Sequence, residues 1–212
     1  MSAKEWASID HALAYLSRAD RIPHRTEGEA VILDHVPLGV GRMLDLGTGD
    51  GRLLGLLKIE RPNARGVALD FSPALLERAR ERFSSDPLIE VVDHDLDEPL
   101  PALGRFDAVV SCFAIHHLTH ERKRSLYAEI FALLKPGGVF CNLDLVSSPT
   151  LALHEHFLHS ISCTLEEEDA SNKPLDVQTQ LLWLREVGFA DVDCYWKWLE
   201  LALLIGVKQP QR

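Results

Sequence analysis

Residues 43–54 read MLDLGTGDGRLL, an apolar run that passes directly into a turn with glycine at every second position and then into a second apolar run. Glycines at 47, 49 and 51 let the backbone adopt angles that side chains forbid and pass close to a ligand. When a helix follows such a turn, its backbone amides point towards whatever lies over the helix start. The stretch therefore predicts a strand, a ligand-binding turn and a helix.

The chain beyond this turn alternates between short apolar strands and amphipathic helices. The pattern predicts strands at 43–46, 66–70, 89–93, 106–112 and 138–146, and helices at 52–60, 73–83 and 120–134. This alternation is typical of an α/β protein with a parallel sheet and helices on both faces. Two late apolar segments, 190–198 and 201–208, predict an antiparallel hairpin that would bring the sheet to seven strands.

The flanking segments predict further helices. Apolar residues at helical spacing indicate a helix over about 4–19, and Thr26 followed by Glu29 predicts a capping box that opens a second helix. Residues 147–175 depart from the strand and helix rhythm and predict an irregular segment. Asp176 would cap the next helix, which Gly188 would end.

Composition and charge limit the class of partner. The formal net charge of −10 repels polyanions, and the basic run 122–124 is most simply a solvated helix face, so DNA and long RNA are poor substrates. The four cysteines lack zinc-ligand spacing, which indicates reduced thiols. Without a secretory or membrane-spanning segment, we expect a soluble, cytoplasmic protein that does not enter a membrane.

Several motifs together resemble those of the class I S-adenosylmethionine-dependent methyltransferases, in particular the members that act on small molecules. The motifs are LDLGTGDG at 44–51, FDAVVSCFAIHHL at 106–118, LKPGGVF at 134–140 and WLREVGF at 183–189, and the main match covers roughly 41–146. A dinucleotide-binding turn instead wants a glycine where Arg52 stands. The resemblance implies a Rossmann-like fold and S-adenosylmethionine as cofactor.

The resemblance also divides the chain, which we expect to be a single domain over 1–212. Cap helices would occupy 1–40, the cofactor-binding core 41–146, an acceptor-side insertion 147–188 and the terminal hairpin 189–212.

Acidic residues at three successive strand ends support the cofactor assignment. Asp45 lies two residues before the first glycine, as in the family, and Asp70 ends the second strand, where a carboxylate can accept both ribose hydroxyls. Asp95 follows the third strand, where the resemblance implies the adenine site, although the neighbouring Asp93 and Asp97 leave its position open. The full set expected at the cofactor is Arg25, Asp45, Gly47, Thr48, Gly49, Gly51, Asp70, Phe71, Ser72, Asp95, Leu96 and Ser111.

A smaller set of residues is expected at the acceptor. His116 and His117 lie just past the fourth strand, and a hydroxyl acceptor needs a general base that titrates near neutrality. Asp144, at the end of the fifth strand, could orient such a base. Alternatively, one histidine packs inward and the other caps the following helix. Tyr15, His154, His156 and Trp183 are the expected acceptor-binding residues.

The sequence therefore predicts O-methylation of a small hydroxylated molecule, such as a sugar or another metabolite, with a histidine base. His154 and His156 lie two positions apart, a poor spacing for metal ligands on a helix but a usable one in an irregular segment, so a divalent metal is not favoured but stays open. A homodimer stays open too. The alternatives are a tRNA wobble-uridine carboxyl methyltransferase, a nucleotide-dependent oxidoreductase and a non-catalytic cofactor-binding protein.

Overall fold

The computed structural model describes residues 22–210, so the helix predicted over 4–19, with Tyr15, lies outside the described residues. The strands are β1 (Arg42–Leu46), β2 (Arg65–Asp70), β3 (Ile89–Asp93), β4 (Phe106–Cys112), β5 (Leu134–Leu145), β6 (Ala190–Trp198) and β7 (Leu201–Val207). The helices are α1 (Arg25–His35), α2 (Arg52–Glu60), α3 (Pro73–Arg82), α4 (His120–Leu133), α5 (Leu151–Ser160) and α6 (Val177–Val187), with a 3₁₀ turn at Ile115–His117.

These strands form one sheet in the order β3-β2-β1-β4-β5-β7-β6. The first five strands pair in parallel, whereas β7 lies antiparallel between β5 and β6. The seven-stranded, mostly parallel sheet with an antiparallel C-terminal hairpin is thus confirmed. From β1 the chain adds β2 and β3 on one side, then returns to add β4 and β5 on the other side, so the strand order switches between β1 and β4. Open α/β sheets bind ligands at the carboxyl ends of the strands beside such a switch point.

Each face of the sheet buries its own apolar cluster, which explains why helices cover both faces. One cluster contains residues of α1, α2 and α5, including Ile32, Leu54 and Phe157. The other contains residues of α4 and α6, such as Tyr127 and Leu184. Sheet residues between the clusters are buried on both sides, as a parallel sheet requires.

The capping box predicted at the start of α1 is wrong. Glu29 does not close a capping box, because its carboxylate binds the guanidinium groups of Arg25 and Arg52, and α1 begins after His24 in a left-handed conformation. Ser72 holds the cap position of α3, but its hydroxyl makes no cap hydrogen bond. Gly188, with φ of +113°, ends α6 as predicted.

The segment 147–175 is not wholly irregular, because it contains α5. Thr150 caps this helix by accepting a hydrogen bond from the Leu153 amide, and Phe157 and Leu158 anchor its far end in the core. The histidines between these positions obscured the apolar pattern. Within residues 22–210, no helix has the length and apolar character that crossing a bilayer requires.

Candidate functional site

The glycine turn between β1 and α2 holds all three of its glycines at positive φ. A Cβ atom on Gly47 would lie 2.2 Å from Ala114 Cβ, and one on Gly51 would lie 2.4 Å from Phe83 Cε2. A Cβ on Gly49 would meet no described atom within 4 Å. Gly47 and Gly51 are therefore required by protein packing, whereas Gly49 faces open space that a ligand can occupy.

Asp70 fixes the shape of this turn. Its Oδ2 atom accepts a hydrogen bond from the Gly49 amide at 2.8 Å, and its Oδ1 accepts from the amides of Phe71 and Ser72 at 2.8 and 2.9 Å. Burial raises the pKa of the Asp70 carboxyl, and the three amides oppose that rise. A carboxylate offers about four acceptor positions, so a further position remains for a ligand hydroxyl.

Asp45 braces the same turn from inside the protein. Its carboxyl group is buried and accepts a hydrogen bond from Thr48 Oγ1 at 2.6 Å. Burial raises the pKa of Asp45 to about 7, with the Thr48 bond acting in the opposite direction. The side chains of Asp45 and Thr48 are thus engaged with each other.

The ends of β2 and β3 carry the groups expected near ribose and adenine. Asp95 is half-buried and accepts a hydrogen bond from the Asp97 amide, while Leu96 packs within 3.9 Å of the Cβ position of Gly47. Within the described chain, two buried polar atoms at these strand ends, Ser72 Oγ and His94 Nε2, have no hydrogen-bond partner. Buried polar groups are almost always satisfied, so these atoms fit a site for a polar ligand.

Two other residues expected at the cofactor have protein partners. Ser111 donates its hydroxyl hydrogen to the Leu46 carbonyl at 2.8 Å and so joins β4 to β1. Arg25 donates to Glu29 at 2.8 Å, and its guanidinium lies 5.4 Å from the ring centroid of Phe113. The arrangement gives no support to Ser111 as a ligand contact. The contact with Glu29 holds Arg25 above the ring of Phe113, the residue that follows β4.

Glu29 connects the cap helix to the glycine turn, a role that the sequence patterns did not indicate. Its buried carboxylate accepts hydrogen bonds from Arg25 on α1 and from both Nε and Nη2 of Arg52 at the start of α2. The open space at Gly49, the remaining acceptor position of Asp70 and the two buried polar atoms fit an adenosyl cofactor such as S-adenosylmethionine.

His116 and Asp144 form a buried pair at the ends of the adjacent strands β4 and β5. Their Nδ1 and Oδ1 atoms lie 2.5 Å apart, and both side chains are less than 5 % exposed. A carboxylate only accepts hydrogen bonds, so Nδ1 carries the ring proton and Nε2 holds the lone pair of the neutral imidazole. The structure pairs Asp144, the predicted orienting residue, with His116, one of the two histidines that the sequence offered as the base.

His117 has a different environment. Its Nδ1 atom lies 2.9 Å from the Ser171 hydroxyl, and its ring centroid lies 4.0 Å from that of His116. Burial lowers the pKa of His117 to about 2, and the Lys173 charge, like a positive charge on His116 when that ring is protonated, acts in the same direction. At neutral pH the ring is uncharged and only weakly basic, which makes it a poorer general base than a histidine that titrates near neutrality.

Lys123 supports the backbone beneath the histidine pair, which corrects the prediction that residues 122–124 form a solvated face. Its ammonium group is buried and donates hydrogen bonds to the carbonyls of His116, Leu118 and Lys173. Burial lowers the pKa of Lys123 to about 8. A signal was present in the sequence, because Lys123 shares a helix face with the apolar residues Leu126 and Ile130.

A cavity of about 670 Å³ opens beside the histidine pair. The residues that line it are Ile22, Pro23, Phe113, His116, His117, Leu145, Phe157, Leu158, Ser160, Ile161, Ser162, Cys163, Glu167, Glu168, Asp169, Asn172, Pro174, Glu200 and Leu201. Phe113 has a φ of +55°, a strained conformation for an aromatic residue that is typical of ligand sites. Gly47 of the glycine turn lies against Ala114, which stands in the chain between the lining residues Phe113 and His116. The glycine turn and this cavity are therefore neighbours.

His154 lies behind the cavity wall. Its Nδ1 atom lies 3.0 Å from Glu200 and its Nε2 atom 3.1 Å from Glu168, two of the residues that line the cavity. Burial alone would lower the pKa of His154, but these two carboxylates outweigh it and raise the pKa. Sequence reasoning missed Glu200, whose only signal was a single charge between two apolar strands.

The structure does not bring the other two described acceptor candidates to this cavity. His156 is exposed on α5, and Trp183 packs against the second apolar cluster with Arg124 over its ring. Among residues 22–210, no three His, Cys, Asp or Glu side chains are arranged to hold a metal ion.

Comparisons with known proteins bear on the same region. A family described as "Methyltransferase domain" matches residues 43–138. A demethylmenaquinone methyltransferase of Clavibacter sepedonicus is 29% identical over 172 residues, which cover 74% of this chain and 69% of that protein. A malonyl-[acyl-carrier protein] O-methyltransferase of Marinomonas is 40% identical over 114 residues, which cover 52% and 41%. In most of the other curated relatives, the match spans only about half of the relative's length.

A solved structure matches nearly the whole chain. The methyltransferase in a Haloferax volcanii complex with the Trm112 methyltransferase activator superposes with a TM-score of 0.71 over 95% of each chain. The two sequences are 21% identical, so this likeness shows the fold.

Proposed function

We propose that this chain, which belongs to the class I S-adenosylmethionine-dependent methyltransferases, transfers the methyl group of its cofactor to a hydroxyl oxygen of a small molecule. The observation that carries the proposal is the contact of 2.5 Å between His116 Nδ1 and Asp144 Oδ1, at the wall of a cavity next to the glycine turn. We assign His116 as the general base and Asp144 as the residue that orients it.

We assign the following cofactor-binding roles to residues of the site. Gly49 and Asp70 would bind the adenosyl part, with Asp95 and Leu96 at the adenine and Arg25 near the methionine end. When bound, S-adenosylmethionine supplies a methyl group on a positively charged sulfur, and in-line displacement leaves the carbon–sulfur electron pair on that sulfur. Protein catalysis then consists mainly of proximity and alignment, because the leaving group is already activated.

Proton removal from the acceptor is the step that calls for a base. As the oxygen–methyl bond forms, the hydroxyl proton would pass to the Nε2 atom of His116, while Nδ1–H stays bonded to Asp144. Asp144 fixes the tautomer that leaves Nε2 able to accept, and it stabilises the imidazolium that forms. His117, with its pKa of about 2, would position the acceptor without taking its proton.

The relatives do not all methylate the same kind of atom. We therefore base the proposal of an oxygen acceptor on the residues of the site and not on the relatives. The names printed for them include O-methyltransferases as well as C-methyltransferases of quinones. An oxygen acceptor gives the dyad a function, because a hydroxyl must lose its proton. An amine that is already neutral needs no base.

The test uses S-adenosylmethionine labelled in the methyl group and a broad mixture of small metabolites. We expect wild-type protein to label an acceptor, and H116Q to lose about 100- to 10,000-fold of the chemical rate, the usual contribution of a positioned base. The matched control is H117Q, the same change in the neighbouring ring, which should keep the rate within about tenfold of wild type because a weak base contributes little. Equal loss in both variants, with cofactor binding intact, would remove His116 from its assigned role.

A further inference from the structure

The three basic residues 122–124 near the start of α4 have different environments. Arg122 and Arg124 each pair with a glutamate, and Arg124 is exposed. Lys123 is only 1 % exposed, and its ammonium group lies among backbone carbonyls beneath the histidine pair. Burying a charge costs free energy unless the charge has partners, so the partners of Lys123 indicate what it does.

The three carbonyls that Lys123 binds belong to two separate segments. Those of His116 and Leu118 lie in residues 115–118, which we call the histidine turn, and that of Lys173 lies in the loop before α6. The Nζ atom lies 3.2 Å from the His116 oxygen and 2.6 Å from the Lys173 oxygen. An ammonium group has three N–H donors, which match three carbonyls, whereas a neutral amine has only two and would turn a lone pair towards the third oxygen.

Lys173 ties its loop to the histidine turn by two further bonds. Its backbone amide donates to the His116 carbonyl at 2.9 Å, and its ammonium group donates to the His117 carbonyl at 2.7 Å. The hydroxyl of Ser171, in the same loop, lies 2.9 Å from His117 Nδ1. The loop and the histidine turn therefore form one unit, and Lys123 connects this unit to α4.

Burial and charged neighbours on three other segments act on the charge of Lys123. Burial lowers the pKa of Lys123 to about 8. The carboxylates of Asp144 on β5 and of Asp97 after β3 oppose this change, whereas the Lys173 ammonium adds to it. The ammonium form therefore predominates at neutral pH and is lost in mildly alkaline solution. While present, it gives the buried Asp144 carboxylate a nearby countercharge.

We propose that Lys123 is a positioning residue for methyl transfer. In its charged form it holds the histidine turn and the loop that contains Lys173 on α4, and so fixes the His116 ring against Asp144. This inference rests on the proposed role of His116 as the general base and adds a residue that acts through it. A catalytic group displaced by about 1 Å can lose about 100-fold in rate, so the placement of this turn controls the chemical step.

The first experiment compares K123M with R124M. K123M keeps a side chain of similar length but removes the charge and its donors, whereas R124M removes the exposed charge at the next position. With the acceptor identified by labelling, K123M should lower kcat about 10- to 100-fold at neutral pH and bind S-adenosylhomocysteine within about threefold of wild type. R124M should keep both values within about twofold, because an exposed ion pair contributes little.

Urea unfolding separates positioning from a role in stability alone. If K123M is less stable but its folded form keeps the wild-type kcat, Lys123 only stabilises the fold and the inference is wrong. The same conclusion follows if K123M and R124M have equal kcat.

The second experiment starts from the wild-type protein, so it does not depend on the folding of K123M. The wild-type rate should fall above about pH 8, because the neutral amine leaves one carbonyl without its donor. K123R should lack this alkaline fall, since a guanidinium group keeps its charge in proteins. A wild-type rate that stays level up to about pH 10, the ordinary range of lysine, would contradict the proposal, as would an equal fall in K123R.

NMR spectra of the histidine rings distinguish failure of this inference from failure of the proposed function, because they need no acceptor. Wild type should hold the His116 ring proton on Nδ1, and K123M should show both ring tautomers, because the ring loses its fixed place against Asp144. A single, unchanged tautomer in K123M would mean that Lys123 does not position the ring. If H116Q transfers methyl groups as fast as wild type, the proposed general base is wrong, whatever the spectra show.

Discussion

Replacing Gly49 tests whether the open space at the glycine turn belongs to the cofactor. The control is Gly137, which lies near the start of β5, far along the strand from the carboxyl edge. Both glycines have positive φ, +59° and +83°, and a Cβ atom on either would meet no described atom within 4 Å. The strain of placing a side chain in the left-handed region is about 1–2 kcal/mol at each position, so G49V and G137V should lose similar folding stability.

Cofactor binding should separate these two variants. The Gly49 amide is already bonded to Asp70, and a side chain at this position would fill the space in which the ligand approaches the backbone. Losing that approach with two or three ligand contacts costs about 3 kcal/mol or more, which weakens binding at least about 100-fold. G137V should bind within about threefold of wild type.

Calorimetric titration with S-adenosylhomocysteine measures the affinities, and urea unfolding measures the stabilities. G49A serves as a milder variant that introduces only the Cβ atom. If G49V and G137V bind S-adenosylhomocysteine equally well while both are folded, the turn does not contact the cofactor and the reasoning from its geometry fails.

Three further predictions concern charged groups. D70N should weaken S-adenosylhomocysteine binding by about 1.5–3 kcal/mol, the scale of hydrogen bonds to a charged group, and unchanged affinity in calorimetry would exclude Asp70 from the ribose site. Folding raises the pKa of Asp45 from 3.8 to about 7. Between these two pH values the folded state keeps a proton that the unfolded state has lost. The stability of the wild-type protein therefore falls as pH rises through that interval. D45N should lack this fall, which is on the order of a few kcal/mol in urea unfolding, and identical pH slopes would contradict the assignment. E200Q should lower the pKa of His154 in an NMR titration, since Glu200 favours the imidazolium, and an unchanged value would mean that the contact does not form in solution.

The elements of the core could be read from the sequence because their periodicity is local. Strands β3 and β4 and helix α2 begin and end at the predicted residues, whereas β1 and β2 each begin one residue before the predicted strand. The largest difference is at β5, which starts at Leu134, four residues before the predicted strand, because the segment that contains Gly137 pairs with neighbouring strands despite its irregular register.

The roles of some charged residues could not be predicted, because they depend on contacts between residues that are far apart in the sequence. Lys123 reads as one member of a basic run, and only the fold shows that three carbonyls surround its ammonium group. Glu29 fits a capping box by spacing, yet two guanidinium groups compete for its carboxylate. Contacts in the folded protein override these local sequence patterns, because a buried charge requires a hydrogen-bonding or oppositely charged partner.

The pair of His116 and Asp144 was accessible from sequence for a different reason. His116 follows β4 and Asp144 lies near the end of β5, and these two strands are parallel neighbours that end at the same edge of the sheet. Glu200 reaches this edge too, but through the turn of an antiparallel hairpin whose register the sequence did not specify.

The measurement that tests the account most directly is the single-turnover rate of methyl transfer as a function of pH, in wild type, H116Q and H117Q with the acceptor identified by labelling. Wild type and H117Q should both show a rate that rises with pH as the base loses its proton, with plateau rates within about tenfold of each other. H116Q should bind the cofactor normally, fall about 100- to 10,000-fold in plateau rate and lose this rise. If H116Q keeps the wild-type plateau and the same pH dependence, His116 does not take the acceptor proton and the proposed mechanism is wrong.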